Sequence, residues 1–411
     1  MGLVGQKASV ARLWAGFWTP KRQKVYPRIV AVMVLAWFFV YCAAGDGIHD
    51  FSGQVMGHDF ITSYATSTLV RSGQAAKAYE PAFIYEAEDA IARTGNQSYW
   101  SYPPVFLFAI APLSVFPYAA AFGIWQSLQL LLFGGALRAL TKARSAVALA
   151  VGSPFALVNL GYGQNGLLSA GILGAGLSQL VARPVLAGGL LSLIIYKPQM
   201  GAVVPIFLVA TRNWRALGSF ILGSAVLCLA SLVVFGPATW RAFIDSLHLP
   251  LEALEQGRLQ VELMPTVEAA MLRMGAPVAL GRGLQYATAI CSLAVALFCW
   301  WRPGSPLLKA ALIPPVTLLV TPYAYSYDLA ILAVSAGLVA REAAVNGWCR
   351  GDKLAVGGLW MAPFLAVVAQ LTAPGIPLLV GGVFGYLAIR AATGDSKPSR
   401  RTAVTPVRVD L

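Results

Sequence analysis

Charge is scarce in this sequence. Only 11% of its 411 residues are Asp, Glu, Lys or Arg, where a soluble domain carries about 25%. Its helical segments mostly lack the polar stripe that a water-soluble bundle turns to solvent, so a soluble fold is excluded. Histidine occurs three times and cysteine five times. Cys42, Cys228, Cys291, Cys299 and Cys349 all sit in or beside apolar runs, which argues against a disulfide framework and against a cysteine zinc site. The metal-binding patterns His-Glu-x-x-His, Cys-x-x-Cys and Asp-x-Asp are missing, as are a Walker loop and a dinucleotide-binding fingerprint set between strand and helix. No metal or other cofactor is expected, and cytoplasmic nucleotide chemistry has no home here.

What the chain does have is apolar length. It is 58% hydrophobic, and apolar runs of roughly 15–22 residues recur from residue 29 to residue 392, each near the length that crosses a hydrocarbon core of about 30 Å. The pattern predicts an all-α polytopic membrane protein with helices over 29–45, 103–116, 118–138, 145–160, 165–181, 184–196, 198–211, 214–235, 279–300, 305–320, 327–340, 354–371 and 375–392. The net charge of +13 does not point to nucleic acid. Lys7, Arg12, Lys21, Arg22, Lys24 and Arg28 precede the first run, Lys397, Arg400, Arg401 and Arg408 follow the last, and the rest lie mostly in short turns. This is the positive-inside distribution. The N-terminal arm is too polar and interrupted for a secretory signal, so 29–45 reads as a retained anchor. The expected organisation is a cytoplasmic basic arm (1–28), one membrane-embedded domain (29–392) and a disordered cytoplasmic tail (393–411).

Thirteen crossings would leave the two basic termini on opposite sides of the membrane. The basic turns at 138–144, 183, 212–215, 302 and 341–353 all fall inside only if one early segment fails to cross. The segment 103–116 is short and opens with Pro103-Pro104, so it is expected to be broken or re-entrant, leaving about twelve crossings. Two large loops, 46–102 and 236–278, then face outward. Together with Asp328 they hold every acid except Glu342, Asp352, Asp395 and Asp410, and they hold all three histidines, His49, His58 and His248.

Several polar clusters on that outer side could carry chemistry. Gly57-His58-Asp59-Phe60 precedes a predicted amphipathic helix over 61–72, whose face is Ile61, Tyr64, Ala65, Thr68 and Leu69. Such a helix can lie along a membrane surface. Asp59 stands at its N-cap position, and local sequence favours a capping role there. Tyr99-Trp100-Ser101-Tyr102 reads as an interfacial aromatic anchor, and Tyr102 could also line a site. Gly161-Tyr162-Gly163-Gln164-Asn165-Gly166 is a turn rich in amides. Lys197 lies between two apolar segments on the side where the inside rule would not place it, and Asp328 ends the tyrosine-rich stretch 321–328. Ionisable residues at membrane depth are costly and often functional, although a lysine can also snorkel to the interface.

The order of these clusters resembles glycosyltransferase family 87, polyprenyl-phosphate-mannose-dependent mannosyltransferases of the GT-C superfamily. The resembling residues are Gly57-His58-Asp59-Phe60 with Tyr64; Tyr79-Glu80-Pro81; Tyr102-Pro103-Pro104 with Pro112-Leu113 and Pro117-Tyr118; Trp125; Gly163-Gln164-Asn165; Ala187-Gly188 with Lys197-Pro198; Arg212 to Trp214; and Thr321-Pro322 with Tyr327-Asp328-Leu329. The resemblance implies a GT-C-like bundle with juxtamembrane helices in the outer loops, set in a bacterial inner membrane with its site facing the periplasm or exterior. It implies an inverting hexosyltransferase that moves a sugar, mannose first among the candidates, from a polyprenyl-monophosphate donor to a glycan or glycolipid hydroxyl. Asp59 is then the expected catalytic base and Lys197 the expected phosphate partner, with His58, Tyr64, Tyr102, Gln164, Asn165, Tyr327 and Asp328 lining the site. Relatives often carry a histidine after the late Ser-Pro or Thr-Pro, whereas Tyr323, Tyr325 and Tyr327 occupy that stretch here. This leaves lipid-linked arabinofuranose open as the donor. A transporter or lipid flippase is the competing class, but the large acidic outer loops and the lack of a sequence repeat argue against it.

Overall fold

The computed structural model describes residues 20–93, 99–368 and 375–393. The N-terminal arm before residue 20 and the tail beyond residue 393, with its expected disorder, lie outside the described residues. Among the described residues the structure is all helical, with a single isolated bridge between His49 and Val55 in place of any strand.

Five helical segments are long and apolar enough to cross a membrane: Lys24–Ala43, Tyr118–Thr141, Trp214–Glu255, Val278–Trp301 and Gly375–Thr393. Their outward faces carry large bare apolar side chains; Phe39 is 72% exposed, Leu222 66% and Val233 82%. A monomeric soluble protein rarely shows apolar surface on this scale, whereas lipid covers it without cost. The chain is an integral membrane protein.

The other apolar runs form shorter helices. Pro184–Tyr196, Pro198–Ala210 and Pro306–Val320 are examples. At about 1.5 Å per residue a 13-residue helix reaches roughly 20 Å, short of a core of about 30 Å. Length alone therefore supports five crossings. Many of the short helices begin at a proline, which the first turn of a helix accepts and its interior disfavours, as at Pro154, Pro184, Pro198 and Pro306, although Pro27 and Pro363 lie inside unbroken helices. The predicted helix 145–160 divides into Ala146–Val151 and Pro154–Tyr162, and Ser153 between them caps the second piece by accepting the Ala156 N–H at 3.1 Å. The first helix starts earlier than expected, at Pro20, so the end of the basic arm is itself helical. The Trp214–Asp245 helix runs on into the loop 236–278 across a kink at Gly236. That loop also contains the helices Leu249–Glu255 and Val267–Arg273.

The segment 103–116 is broken as expected: Pro104–Phe106 and Leu113–Val115 are 3₁₀ turns on either side of the short helix Leu107–Ile110. Backbone groups freed in this way need partners wherever water is absent. The predicted amphipathic helix, observed as Phe60–Arg71, supplies them. Tyr64 donates its hydroxyl to the Phe116 carbonyl at 2.8 Å. Ser67 donates to the Ala111 carbonyl at 3.0 Å and accepts the Ser114 N–H at 2.9 Å, and Arg71 donates to the Ser114 carbonyl at 2.7 Å. These three side chains share one helical face. The helix is thus docked on the broken segment through its polar face, with Phe60, Ile61 and Ala65 buried against the core.

Candidate functional site

The site begins with a loop held from three sides. Gly57 donates its N–H to the Tyr41 hydroxyl at 2.9 Å, and the Tyr118 hydroxyl donates to the Met56 carbonyl at 2.7 Å. The Phe60 ring packs 5.3 Å from both Tyr118 and Phe122. The Asp59 N–H donates to the Tyr162 carbonyl at 3.0 Å. Gly163 makes this junction possible. Its φ is +73°, and a Cβ there would lie 2.7 Å from the Phe60 Cβ and 2.9 Å from the Gly57 Cα. Only glycine combines that backbone with that closeness.

Asp59 occupies the N-cap position but makes no side-chain capping bond. Its carboxylate turns instead to side chains: Gln164 Nε2 donates to Oδ2 at 2.9 Å, and His58 Nδ1 lies 3.2 Å from Oδ1. The capping role favoured by local sequence is therefore not the one the side chain takes. Asp59 keeps 31% of its side chain exposed and His58 49%. The hydrogen bond to Asp59 raises the His58 pKa above its ordinary value, against a smaller opposing effect of burial.

Gln164 links this rim to the interior. Its Oε1 lies 3.4 Å from the Tyr102 hydroxyl, which is placed to donate to it, and its carbonyl accepts from Gln129 Nε2 at 3.2 Å and Gln126 Nε2 at 3.4 Å. Asn165 follows: its side-chain oxygen accepts from Lys197 Nζ at 3.1 Å, and its carbonyl accepts from the Tyr196 hydroxyl at 3.2 Å. Lys197 Nζ also donates to Asp328 Oδ1 at 2.5 Å. Asp328 Oδ2 accepts the Tyr325 N–H at 3.1 Å. Lys197 is 3% exposed and Asp328 1%, so this is a fully buried ion pair with further hydrogen bonds on both partners, the arrangement such a pair needs to persist.

Aromatic rings surround the chain of contacts. Lys197 Nζ sits 5.1 Å from the Tyr327 ring centroid and 5.9 Å from that of Tyr102, within cation–π range. Tyr325 and Tyr327 stack at 5.5 Å, and Tyr162 lies 6.4 Å from Tyr327. Burial pushes the Tyr99 phenol, in the loop 46–102, up to about 12. The result is a cluster of aromatic rings with a partly exposed carboxylate at its edge and a neutralised ion pair buried within it. Asp59 and His58 are its partly open polar groups, so the carboxylate is what the cluster can offer to a ligand.

Of the residues expected at the site, His58, Asp59, Tyr102, Gln164, Asn165, Lys197, Tyr327 and Asp328 come together in this one network. Tyr64 does not join it; its hydroxyl is bound to the Phe116 carbonyl and its ring packs against Tyr118 at 5.2 Å. Sequence reasoning missed the residues that hold the network in place. Asn159, completely buried, donates to the Tyr327 carbonyl at 3.1 Å and accepts the Leu167 N–H at 3.3 Å. Gln129 grips the Gln164 turn from both ends, because its Oε1 accepts the Leu168 N–H at 3.2 Å. Ser169 meets the Tyr196 hydroxyl at 2.6 Å. The usable signal was the amides themselves: Gln126, Gln129 and Asn159 lie inside apolar helices, where an unpaired amide is expensive.

The family model described as "Glycosyltransferase family 87" matches residues 100–322, more than half of the chain, and the chain belongs to that family. Among curated proteins and among solved structures nothing matches it. The matched span includes Tyr102, Gln164, Asn165 and Lys197, while His58, Asp59, Tyr327 and Asp328 lie outside it.

Proposed function

We propose that this member of glycosyltransferase family 87 transfers a sugar from a polyprenyl-monophosphate donor to an acceptor hydroxyl, with Asp59 as the base. The observation that carries this reading is the Asp59 carboxylate, free of its capping role, oriented by Gln164 and His58 and still partly open at the edge of the aromatic cluster. In the proposed step the acceptor O–H gives its proton to Asp59 while its oxygen forms a bond to the anomeric carbon. The bond from that carbon to the donor phosphate oxygen breaks, and polyprenyl phosphate leaves with the electron pair. One displacement inverts the anomeric centre. A positioned carboxylate of this kind contributes about 10²–10⁴-fold.

Two of the three Lys197 N–H groups are taken by Asp328 and Asn165. We assign the third to the leaving phosphate, aided by the dipoles of the surrounding tyrosine hydroxyls. Because Asp328 neutralises Lys197, this contact acts by hydrogen bonding more than by net charge. Mannose is the proposed sugar and lipid-linked arabinofuranose the second candidate, since no histidine follows Thr321-Pro322. The short helices on either side of Lys197 support a site recessed below the outer membrane boundary, within reach of a lipid-linked donor. We take these short helices to complete a bundle of about twelve passes, with the site on the periplasmic or exterior face and a glycan or glycolipid as acceptor.

The test is incubation of membranes with radiolabelled mannosyl phosphopolyprenol and, in parallel, its arabinofuranosyl counterpart. Labelled product is expected with the mannosyl donor. Asp59→Asn should lower transfer by about 10²-fold or more at an unchanged protein level. Full activity in that variant removes Asp59 as the base. Solute uptake in proteoliposomes with no transfer from either donor would favour a transporter instead.

A further inference from the structure

At the C-terminal end of the Tyr118–Thr141 helix, about 36 Å from its start by helix rise, four cations line two adjoining hollows. Arg138, Lys142, Arg144 and Arg183 are all exposed. Arg138, Lys142 and Arg144 line one open pocket of about 360 Å³ with Gly135, Ala139 and Ala143. A second groove of about 340 Å³ adjoins it and shares Gly135 and Ala139. This groove runs between the Tyr118–Thr141, Gly166–Gln179 and Pro184–Ser192 helices; Leu131, Ala175, Leu186 and Leu190 line it, and Arg183 stands at its edge. No carboxylate lines either part. Leu131 is 70% exposed and Leu186 44%.

Charge placement for membrane orientation accounts for cations near a turn, but not for their gathering beside an apolar groove with no carboxylate in its lining. Some cations expected on the same side are engaged: Arg341 donates to the Leu140 carbonyl at 3.2 Å, Lys309 to the Trp300 carbonyl at 2.8 Å, and Arg390 pairs with Asp352 at 3.2 Å; Arg212 and Arg215 are exposed but line no such groove. Among the described residues, Arg138, Lys142, Arg144 and Arg183 have no such hydrogen bond or ion pair. Clustered cations beside an apolar groove between membrane helices match a phosphate headgroup with an attached chain.

We propose that this face binds an anionic phospholipid, with the phosphate held by Arg138, Lys142, Arg144 and Arg183 and one acyl chain laid along Gly135 and Ala139. The missing carboxylates select against a zwitterionic headgroup, whose ammonium would find no partner. The apolar groove selects against a soluble anion, which would leave it unfilled. The site shares no residue with the aromatic cluster and does not depend on the reaction assigned there.

Native mass spectrometry of the purified full-length protein, titrated with phosphatidylglycerol, phosphatidylcholine or glycerol phosphate, tests the proposal. Phosphatidylglycerol should be retained at least tenfold more tightly than the other two. Each lost cation should weaken it by about fivefold, so R138Q/K142Q/R144Q/R183Q should abolish the preference. Gly135→Leu keeps every charge and fills a space where an added Cβ would meet nothing within 4 Å; it should weaken phosphatidylglycerol binding even if the quadruple variant does not fold. Equal retention of phosphatidylcholine, equal competition by glycerol phosphate, or unchanged binding in Gly135→Leu would each overturn the proposal.

Discussion

The buried pair of Lys197 and Asp328 offers a test that separates fold from chemistry. Lys197→Met keeps the length and apolar stem of the side chain and removes the charge. It leaves Asp328 with one remaining bond, from the Tyr325 N–H, and leaves the Asn165 side-chain oxygen without its donor. Removing one partner of a buried pair costs about 3–5 kcal/mol, most of it from the charge left behind. Asp328→Asn strands the ammonium instead and should cost a similar amount. The double variant Lys197→Met/Asp328→Asn buries no charge and keeps an acceptor for the Tyr325 N–H. Its expected cost falls to about 1–3 kcal/mol, the penalty for the polar oxygen of Asn165 left unpaired. Thermal unfolding in detergent should therefore rank the double variant between the parent and either single variant. Additive losses would mean that the two residues are uncoupled and would refute the account of the pair. Transfer activity supplies the second readout. If the pair also sets the Gln164–Asn165 turn, the double variant should recover stability while remaining about 10²-fold slow, as a displacement of about 1 Å at a reacting group would cause. Full recovery of transfer would restrict the pair to a folding role.

Two further outcomes follow from the same geometry. Gly163→Ala must displace Phe60 or Gly57, since its Cβ would lie 2.7–2.9 Å from both; it should cost about 1–3 kcal/mol of stability and slow transfer, and a variant with parental stability and rate would show that the junction is not tight. The His58 pKa is raised above 6.5 by its hydrogen bond to Asp59, so the stabilisation from that pair is full below pH 6.5 and is lost as pH rises through the shifted value. Over the same window the imidazolium releases the Asp59 carboxylate for the acceptor, so the transfer rate should climb above pH 6.5; His58→Gln should flatten that limb, and an unchanged pH profile would separate His58 from the base.

The amino-acid sequence by itself determined that this chain lives in a membrane and is helical. With so few charges and so many apolar runs, lipid is the only solvent that leaves those surfaces uncovered at no cost. It also determined which polar residues to watch, because Lys197, Asp328 and the Gln164-Asn165 turn interrupt apolar stretches where each unpaired group is expensive. It marked the break at 103–116 through its prolines. It did not reveal the partners. Lys197 and Asp328 are 131 residues apart and Asp59 and Gln164 are 105 apart, and no local pattern encodes contacts over that range.

Only the tertiary structure decided what each side chain does. Asp59 is equally suited to cap a helix or to face a ligand, and the close approach of Gly163 to Gly57 brings Gln164 near enough to draw the carboxylate away from the cap. Tyr64 belongs by spacing to the same outer cluster, yet the unpaired Phe116 carbonyl of the broken segment takes its hydroxyl. The apolar runs looked alike in composition, but proline and the packing of their neighbours made some into full crossings and others into half-length helices that end at the buried Lys197. Propensity and periodicity act over a few residues, whereas the satisfaction of buried polar groups is settled between segments that meet only in the folded chain.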